Sequence, residues 1–339
     1  MRLLAFTLAC IVVAPAAAKD ITVIATPVPL NPNDSKQAAV DSLEYVAGFA
    51  LDSTAPEWGG YSGMVMASDG SSLLAVSDVG YWLKLELKHD DADVLTGVGA
   101  ARIEPLLDEA GKPVAGKEWS DAEEVTQAQG GQFFVSFERR HRVWRYATAA
   151  GVPDGRSHPV PVPDAVRSLP DNSGIEAMMA SGQDSLTIVA EGKVAAANET
   201  LAWSWSARKG TWHNFVIERS DGFEPTSLAL LPSPQFQVPQ KIDHSLILLL
   251  ERRYTEADGP AARISVLFPS VLSNYVAGYT LATFRLPLSV DNFEAMALRP
   301  AADDSALIYL LTDDNQSDKQ RTLLLQFRAR LQQFQMRQK

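Results

Sequence analysis

Asn172-Ser173-Gly174-Ile175-Glu176-Ala177-Met178, followed after a polar turn by Leu186-Thr187-Ile188-Val189-Ala190-Glu191, is one copy of a plan that recurs along the chain. The other copies open at Ser62-Gly63-Met64-Val65-Met66-Ala67, Asp121-Ala122-Glu123-Glu124-Val125, Asp221-Gly222-Phe223-Glu224-Pro225-Thr226-Ser227-Leu228 and Asp291-Asn292-Phe293-Glu294-Ala295-Met296-Ala297-Leu298. Their second halves, 73–78, 133–138, 246–251 and 307–313, also close on an acid. A third apolar run comes next at 81–87, 143–146, 201–205, 263–268 and 322–327. Short β-branched and aromatic runs bounded by Gly, Asp, Ser and Pro read as strands joined in hairpins.

Units of three or four antiparallel strands recurring along a chain predict an all-β fold, a β-propeller, rather than the competing β-sandwich or β-helix. Segments 21–25 and 45–51 are placed to complete the last blade by pairing with the C-terminal end, so six blades are expected, with five as the alternative. Tryptophans 82, 144, 203 and 205 fall in the third runs, where packing between blades is their ordinary use.

Residues 1–18 read as a cleaved signal peptide: Arg2 is the basic start, 3–13 the apolar region and Ala16-Ala17-Ala18 the small-residue cleavage site. This implies a periplasmic or secreted protein, and no later stretch is long and apolar enough for a membrane helix. The single cysteine, Cys10, lies inside that segment, so the rest of the chain can form no disulfide. The core must hold the domain, 19–327, by itself. Residues 328–339 are polar and Gln-rich, and read as a frayed helix or a disordered tail. With 41 acidic against 30 basic residues and a net charge of −11, the chain is a poor partner for nucleic acid or anionic membrane.

The acids of the repeat are regularly spaced. Glu123 precedes Glu138 by 15 residues, as Glu176 precedes Glu191, and Gly63 stands at the same interval from Asp78. Glu224 and Glu251, and Glu294 and Asp313, are further apart, with extra residues in the intervening turns. In a hairpin the start of one strand faces the end of the next, so each pair is expected to meet at one rim. Crowded carboxylates raise one another's pKa and need compensation, which a hard cation such as Ca²⁺ or a neighbouring arginine provides. Arg139 and Arg252 each come directly after a closing acid and suit a phosphate as well as a carboxylate. A structural role for the acids, capping turns or tying blades together, is the alternative. There is no G-x-S-x-G elbow, HExxH helix or EF-hand loop, and the five histidines lack zinc spacing.

The order of Ser77-Asp78-Val79-Gly80, Asp121-Ala122-Glu123-Glu124, Asn172-Ser173-Gly174-Ile175-Glu176 and Glu251-Arg252 resembles the phytase-like domain family, described as having esterase-like activity of phytase. The resemblance runs from about residue 45 to 327 and implies an exported propeller with calcium-dependent phosphoester or ester hydrolysis. Carried over by position, it implicates Asp78, Asp121, Glu123, Asn172, Glu176, Glu251 and Arg252. The fourth repeat departs from the pattern at Glu224-Pro225-Thr226.

The leading expectation is a Ca²⁺-assisted hydrolase of a small phosphorylated or ester substrate. Glu123, Glu176, Arg139 and Arg252 take the catalytic roles, and Asp78, Asp121, Glu138, Glu191, Glu251, Glu294 and Asp313 hold metal. Its rivals are a non-catalytic propeller binding a ligand or envelope partner, and a carboxylesterase using Ser62 or Ser173.

Overall fold

The computed structural model describes residues 18–149, 152–183, 185–192, 198–206, 208–219, 222–232, 245–268, 274–303 and 305–330. The expected signal segment up to residue 17, the Pro- and Gln-rich insertion at 233–243 and the tail from 331 lie outside them.

The described chain is nearly all strand. β1 (Lys19–Ile21), β2 (Ile24–Pro27), β3 (Ala39–Val40) and β4 (Leu43–Asp52) precede the repeats. The first unit is β5 (Tyr61–Met66), β6 (Ser72–Ser77), β7 (Tyr81–His89) and β8 (Leu95–Pro105). A helical turn, α1 (Lys117–Ser120), leads to β9 (Ala122–Gln127), β10 (Phe133–Phe137), β11 (Arg142–Ala149) and β12 (Val152–Val160). After α2 (Asp164–Arg167) come β13 (Ile175–Ser181), β14 (Ser185–Ala190), β15 (Glu199–Ser206) and β16 (Thr211–Glu218). The fourth unit is β17 (Glu224–Pro232), β18 (Ser245–Thr255), β19 (Gly259–Phe268) and β20 (Tyr275–Arg285), and the last is β21 (Asn292–Pro300), β22 (Ser305–Asp313) and β23 (Thr322–Arg330). Within each unit consecutive strands pair antiparallel, and a short parallel contact between β16 and β20 joins the third and fourth units into one eight-stranded sheet.

The ends of the chain meet in one sheet, ordered β2-β4-β23-β22-β21. Leu324 pairs with Phe49 and Thr322 with Leu51, and Ile24 and Ala25 pair with the other edge of β4, so the N-terminal segment supplies the strands that the last unit lacks, as expected, except that Ile21 of the same segment pairs with Ala101 of β8 in the first unit. β23 runs on to Arg330, three residues past the expected boundary at 327, because Arg328 still pairs with Glu44 and Arg330 with Ser305.

First strands touch in a closed order: β5 against β9, β9 against β13, β13 against β17, β17 against β21, and β21 against β5. The core is divided accordingly, with one buried cluster between each pair of neighbouring units. Second strands feed two clusters at once. In β22, Ala306, Ile308 and Leu310 enter one core while Leu307, Tyr309 and Leu311 enter the next. A strand covered on both faces needs apolar residues throughout, which is why these runs stand out in sequence. The third strand of the first unit alternates, with Leu83, Leu85 and Leu87 buried and Lys84 and Glu86 exposed, whereas β19 and β23 are buried along most of their length. The outermost strands, half-exposed and polar as in Val152–Val160, carry no such signal. Trp82, Trp144 and Trp203 are buried in these cores.

At the end of the ring away from the strand starts, all five first strands line a cavity of about 470 Å³, with Met66, Thr126, Ala180, Leu230 and Leu298 among its walls. No helix among the described residues is long and apolar enough to cross a membrane.

Phe327 joins both chain ends to the fourth unit, its ring 5.5 Å from Tyr45 and 5.2 Å from Phe284. Phe327→Ala should therefore lower stability by about 3–5 kcal/mol, the usual cost of emptying a buried phenylalanine site. A denaturant titration monitored by tryptophan fluorescence would reveal this; a midpoint within error of the parent would show that this junction does not hold the ring.

Candidate functional site

The rim at the strand starts is shaped by one backbone device used five times. Near the beginning of each first strand the ladder slips by a residue. Tyr61 faces Ser77 and Gly63 faces Val76, leaving Ser62 over. In the same way Glu176 is left between Ile175 and Ala177, Thr226 between Pro225 and Ser227, and Glu294 between Phe293 and Ala295. In β9, Glu123 and Glu124 together oppose Ser136, whose hydroxyl accepts the Glu124 N–H at 3.1 Å, so Glu123 is the extra residue. A bulge leaves its residue unpaired and bends the strand, which turns these side chains toward the rim.

Beside each bulge stands the residue just past the second strand's paired stretch or at its end: Asp78, Glu138, Glu191, Arg252 and Asp313. The second and third units bring their acids together. Asp121, Glu123 and Glu138 form one group able to hold a metal ion, and Glu138, Glu176 and Glu191 a second, with oxygens in each within 4.8 Å of one another. Glu138 belongs to both.

Burial, then repulsion from Glu176, Asp121 and Glu138, pushes Glu123 well above the usual carboxylate range. Glu176 is pushed up likewise by burial and by Glu191 and Glu138. Glu138 is raised to about 7 by burial and by Asp121 and Glu191, with Arg139 and Lys117 partly offsetting the rise.

Three cations are built into the rim. Lys117 on α1 reaches Asp78 at 2.6 Å and Asp121 at 2.5 Å, and these contacts raise its pKa despite burial. Arg139 Nε donates to the other oxygen of Asp121 at 2.7 Å. Arg252 Nε lies 2.9 Å from Glu294 and its Nη2 3.9 Å from Glu191, ion pairs that raise the guanidinium pKa. Burial raises Glu294 to about 7 even so. Asp121 thus has both oxygens taken by side-chain cations, whereas among the described residues the one ion pair that reaches Glu138, Glu176 or Glu191 is the long contact from Arg252 to Glu191.

Several expected rim residues stand elsewhere or are already engaged. Glu251, expected among the metal ligands, faces Pro225 and turns into the fourth unit, where it accepts from Arg263 at 2.9 and 2.7 Å and from Ser265 at 3.0 Å. Its rim position belongs to Arg252, because Glu251 pairs with Pro225, the residue before the bulge, as Ala190 pairs with Ile175 in the third unit. Glu224 faces Arg252 across the ladder, pairs with Arg219 and accepts the Gly192 N–H, and the bulge residue of that unit is Thr226. Spacing set Gly63 opposite Glu123, but the register puts Ser62 there. Asp313 is held in a turn by the Asn315 N–H at 2.6 Å, and burial and Glu294 raise its pKa well above normal. Asp78 bonds Lys117 through one oxygen while the other lies against Gly60, where an added Cβ would come within 2.0 Å of it.

Lys117 and Glu124 were not legible as site residues. Lys117 lies in the linker before β9, outside the repeated strand runs that the spacing picks out. Glu124 is buried, and it crosses the centre of the ring: its Oε2 accepts from Ser227 on β17 at 2.5 Å, and its Oε1 from the Val125 N–H at 2.9 Å. This places a carboxyl between the rim and the cavity beyond. The adjacent pair Glu123-Glu124, found in one repeat alone, was the available signal.

The family model described as phytase-like, esterase-like activity of phytase, matches residues 56–316. No curated protein matches the chain. Among solved structures, one described as "Structure of U3-55K" is similar at 6% identity with a TM-score of 0.40, over 85% of this chain and 99% of that one.

The raised carboxyls make stability pH-dependent in a defined direction. Glu294 has an ordinary pKa of 4.5 and holds its proton to about 7 in the folded chain, so the folded state binds more protons between these values and stability falls as pH rises through them. The loss for this group is on the order of 3 kcal/mol. The melting midpoint of protein kept in chelator should drop by several degrees from pH 5 to pH 8. A flat or rising midpoint would mean that these carboxylates ionise without penalty.

Proposed function

Since the chain belongs to the phytase-like family, we propose that it is an exported five-bladed β-propeller that hydrolyses phosphomonoesters at the rim formed by its second and third blades, with calcium as cofactor. The closed order of first strands and the five inter-unit cores support five blades rather than six. Export to the periplasm or medium rests on the signal-like residues 1–18.

The observation that carries the catalytic reading is the uneven neutralisation of the rim. Asp121 is saturated by Lys117 and Arg139. Glu138, Glu176 and Glu191, whose oxygens lie within 4.8 Å of one another, have no cation of the described chain as close. An all-carboxylate set of this kind fits a hard divalent ion with oxygen ligands. When bound, calcium would supply charge to clamp phosphoryl oxygens and acidify a water. Arg252 and Arg139 stand on either side of the group and would orient the phosphoryl group and offset its charge. Glu138, poised near neutrality, can hold or release a proton there, with Glu123 and Glu176 completing the wall. This chemistry needs no Ser, Cys or His nucleophile.

The three tethered cations favour a second reading, a binding propeller whose acids are structural. Hydrolysis of a phosphomonoester panel with calcium or chelator separates the two. Calcium-dependent turnover is expected, and Glu176→Gln should lower kcat/KM roughly 100-fold with the fold retained. Folded protein that turns over no phosphomonoester in calcium would leave the binding reading.

A further inference from the structure

Trp119 lies on α1 two residues before Asp121 and is 43% exposed, whereas Trp82, Trp144 and Trp203 are 4–5% exposed within the inter-unit cores. It is exposed but not loose. Arg142 donates to its carbonyl oxygen, and the Arg142 guanidinium packs 3.8 Å over Phe137 and 4.2 Å over Trp144. The Arg140 guanidinium lies 4.4 Å over the indole and is ion-paired with Glu118, and the Arg142 guanidinium lies 5.5 Å from the indole centroid, so a ligand can use only the indole surface that these two arginines leave open. The same short segments fix the Asp121 edge of the carboxylate group, because Lys117 shares the turn with Trp119, and Arg139 precedes Arg140. A large aromatic held rigidly in water beside a candidate site presents stacking surface at little ordering cost to a ligand.

We propose that Trp119 is the platform on which the aromatic ring of a singly phosphorylated aryl ester stacks, so that it selects the substrate of the hydrolase reading on which this inference rests. Charge argues for one phosphate. Each rim cation is already engaged by a carboxylate, Lys117 by Asp78, Arg139 by Asp121 and Arg252 by Glu294, so the rim has little positive charge to spare for phosphates beyond one, and a monoester with an uncharged planar body asks for none. Hydrolysis adds one water across the P–O bond and releases phosphate and the phenol.

The test compares 4-nitrophenyl phosphate with glycerol 3-phosphate in calcium, for the parent protein, Trp119→Ala and Trp119→Phe. Trp119→Ala should lower the preference for the aryl ester, as a ratio of kcat/KM values, roughly tenfold, mainly through KM, and Trp119→Phe should restore most of it. An unchanged ratio in Trp119→Ala overturns the proposal. Calorimetric titration with phenylphosphonate and methylphosphonate separates this from the hydrolase reading. If nothing is hydrolysed, tighter phenylphosphonate binding that Trp119→Ala abolishes still supports the platform, while equal binding of the two phosphonates removes it.

Discussion

The pairing of β4 with β23 closes the ring, and the five cores depend on closure. Each core is made by two neighbouring units, so opening the ring at any junction strips apolar surface from two sheets at once. The first and last units are also tied by a buried polar cluster. His89 and Gln326 contact the Tyr309 hydroxyl at 3.0 and 2.9 Å, and Arg299 pairs with Asp93 at 2.8 Å. Such a cluster favours one register over its neighbours, because a one-residue slip would leave several polar atoms buried without partners.

Closure also creates the electrostatic problem at the rim. Five strand starts that converge bring their bulge residues together, and three of the five are glutamates. The chain meets part of that repulsion internally, with Lys117 between the first and second units and Arg252 between the third and fifth. The junction of the second and third units receives least, and there the acids of adjacent units come closest. Glu124 adds a different element. By reaching from β9 to Ser227, it connects strands that are not neighbours in the ring, and Ser227 in turn accepts the Met296 N–H of a third strand at 3.2 Å.

The hairpins, the joining of the chain ends and the acids of the second and third units were legible because each leaves a strong mark: runs buried on both faces, and a fixed interval between strand ends. The outer strands were not, since an edge strand such as Val152–Val160 with its two prolines looks like a loop. The fourth unit misled for a different reason. Counting back from Glu251 assumes that this acid stands beside the bulge, and only the register shows that Arg252 fills the place taken by acids in the other units. Spacing specifies a partner only while the ladder is regular. A bulge breaks that regularity by one residue, which is enough to exchange an inward acid for an outward one.

The same bulges separate what the ring needs from what its rim does. Because the extra residue makes no ladder contact, Ser62, Glu123, Glu176, Thr226 and Glu294 differ in size and charge while the strands on either side keep their alternation and their cores. The fold therefore offers five sockets around one opening, and a side chain exchanged at any of them changes the chemistry facing solvent without disturbing the framework that carries it.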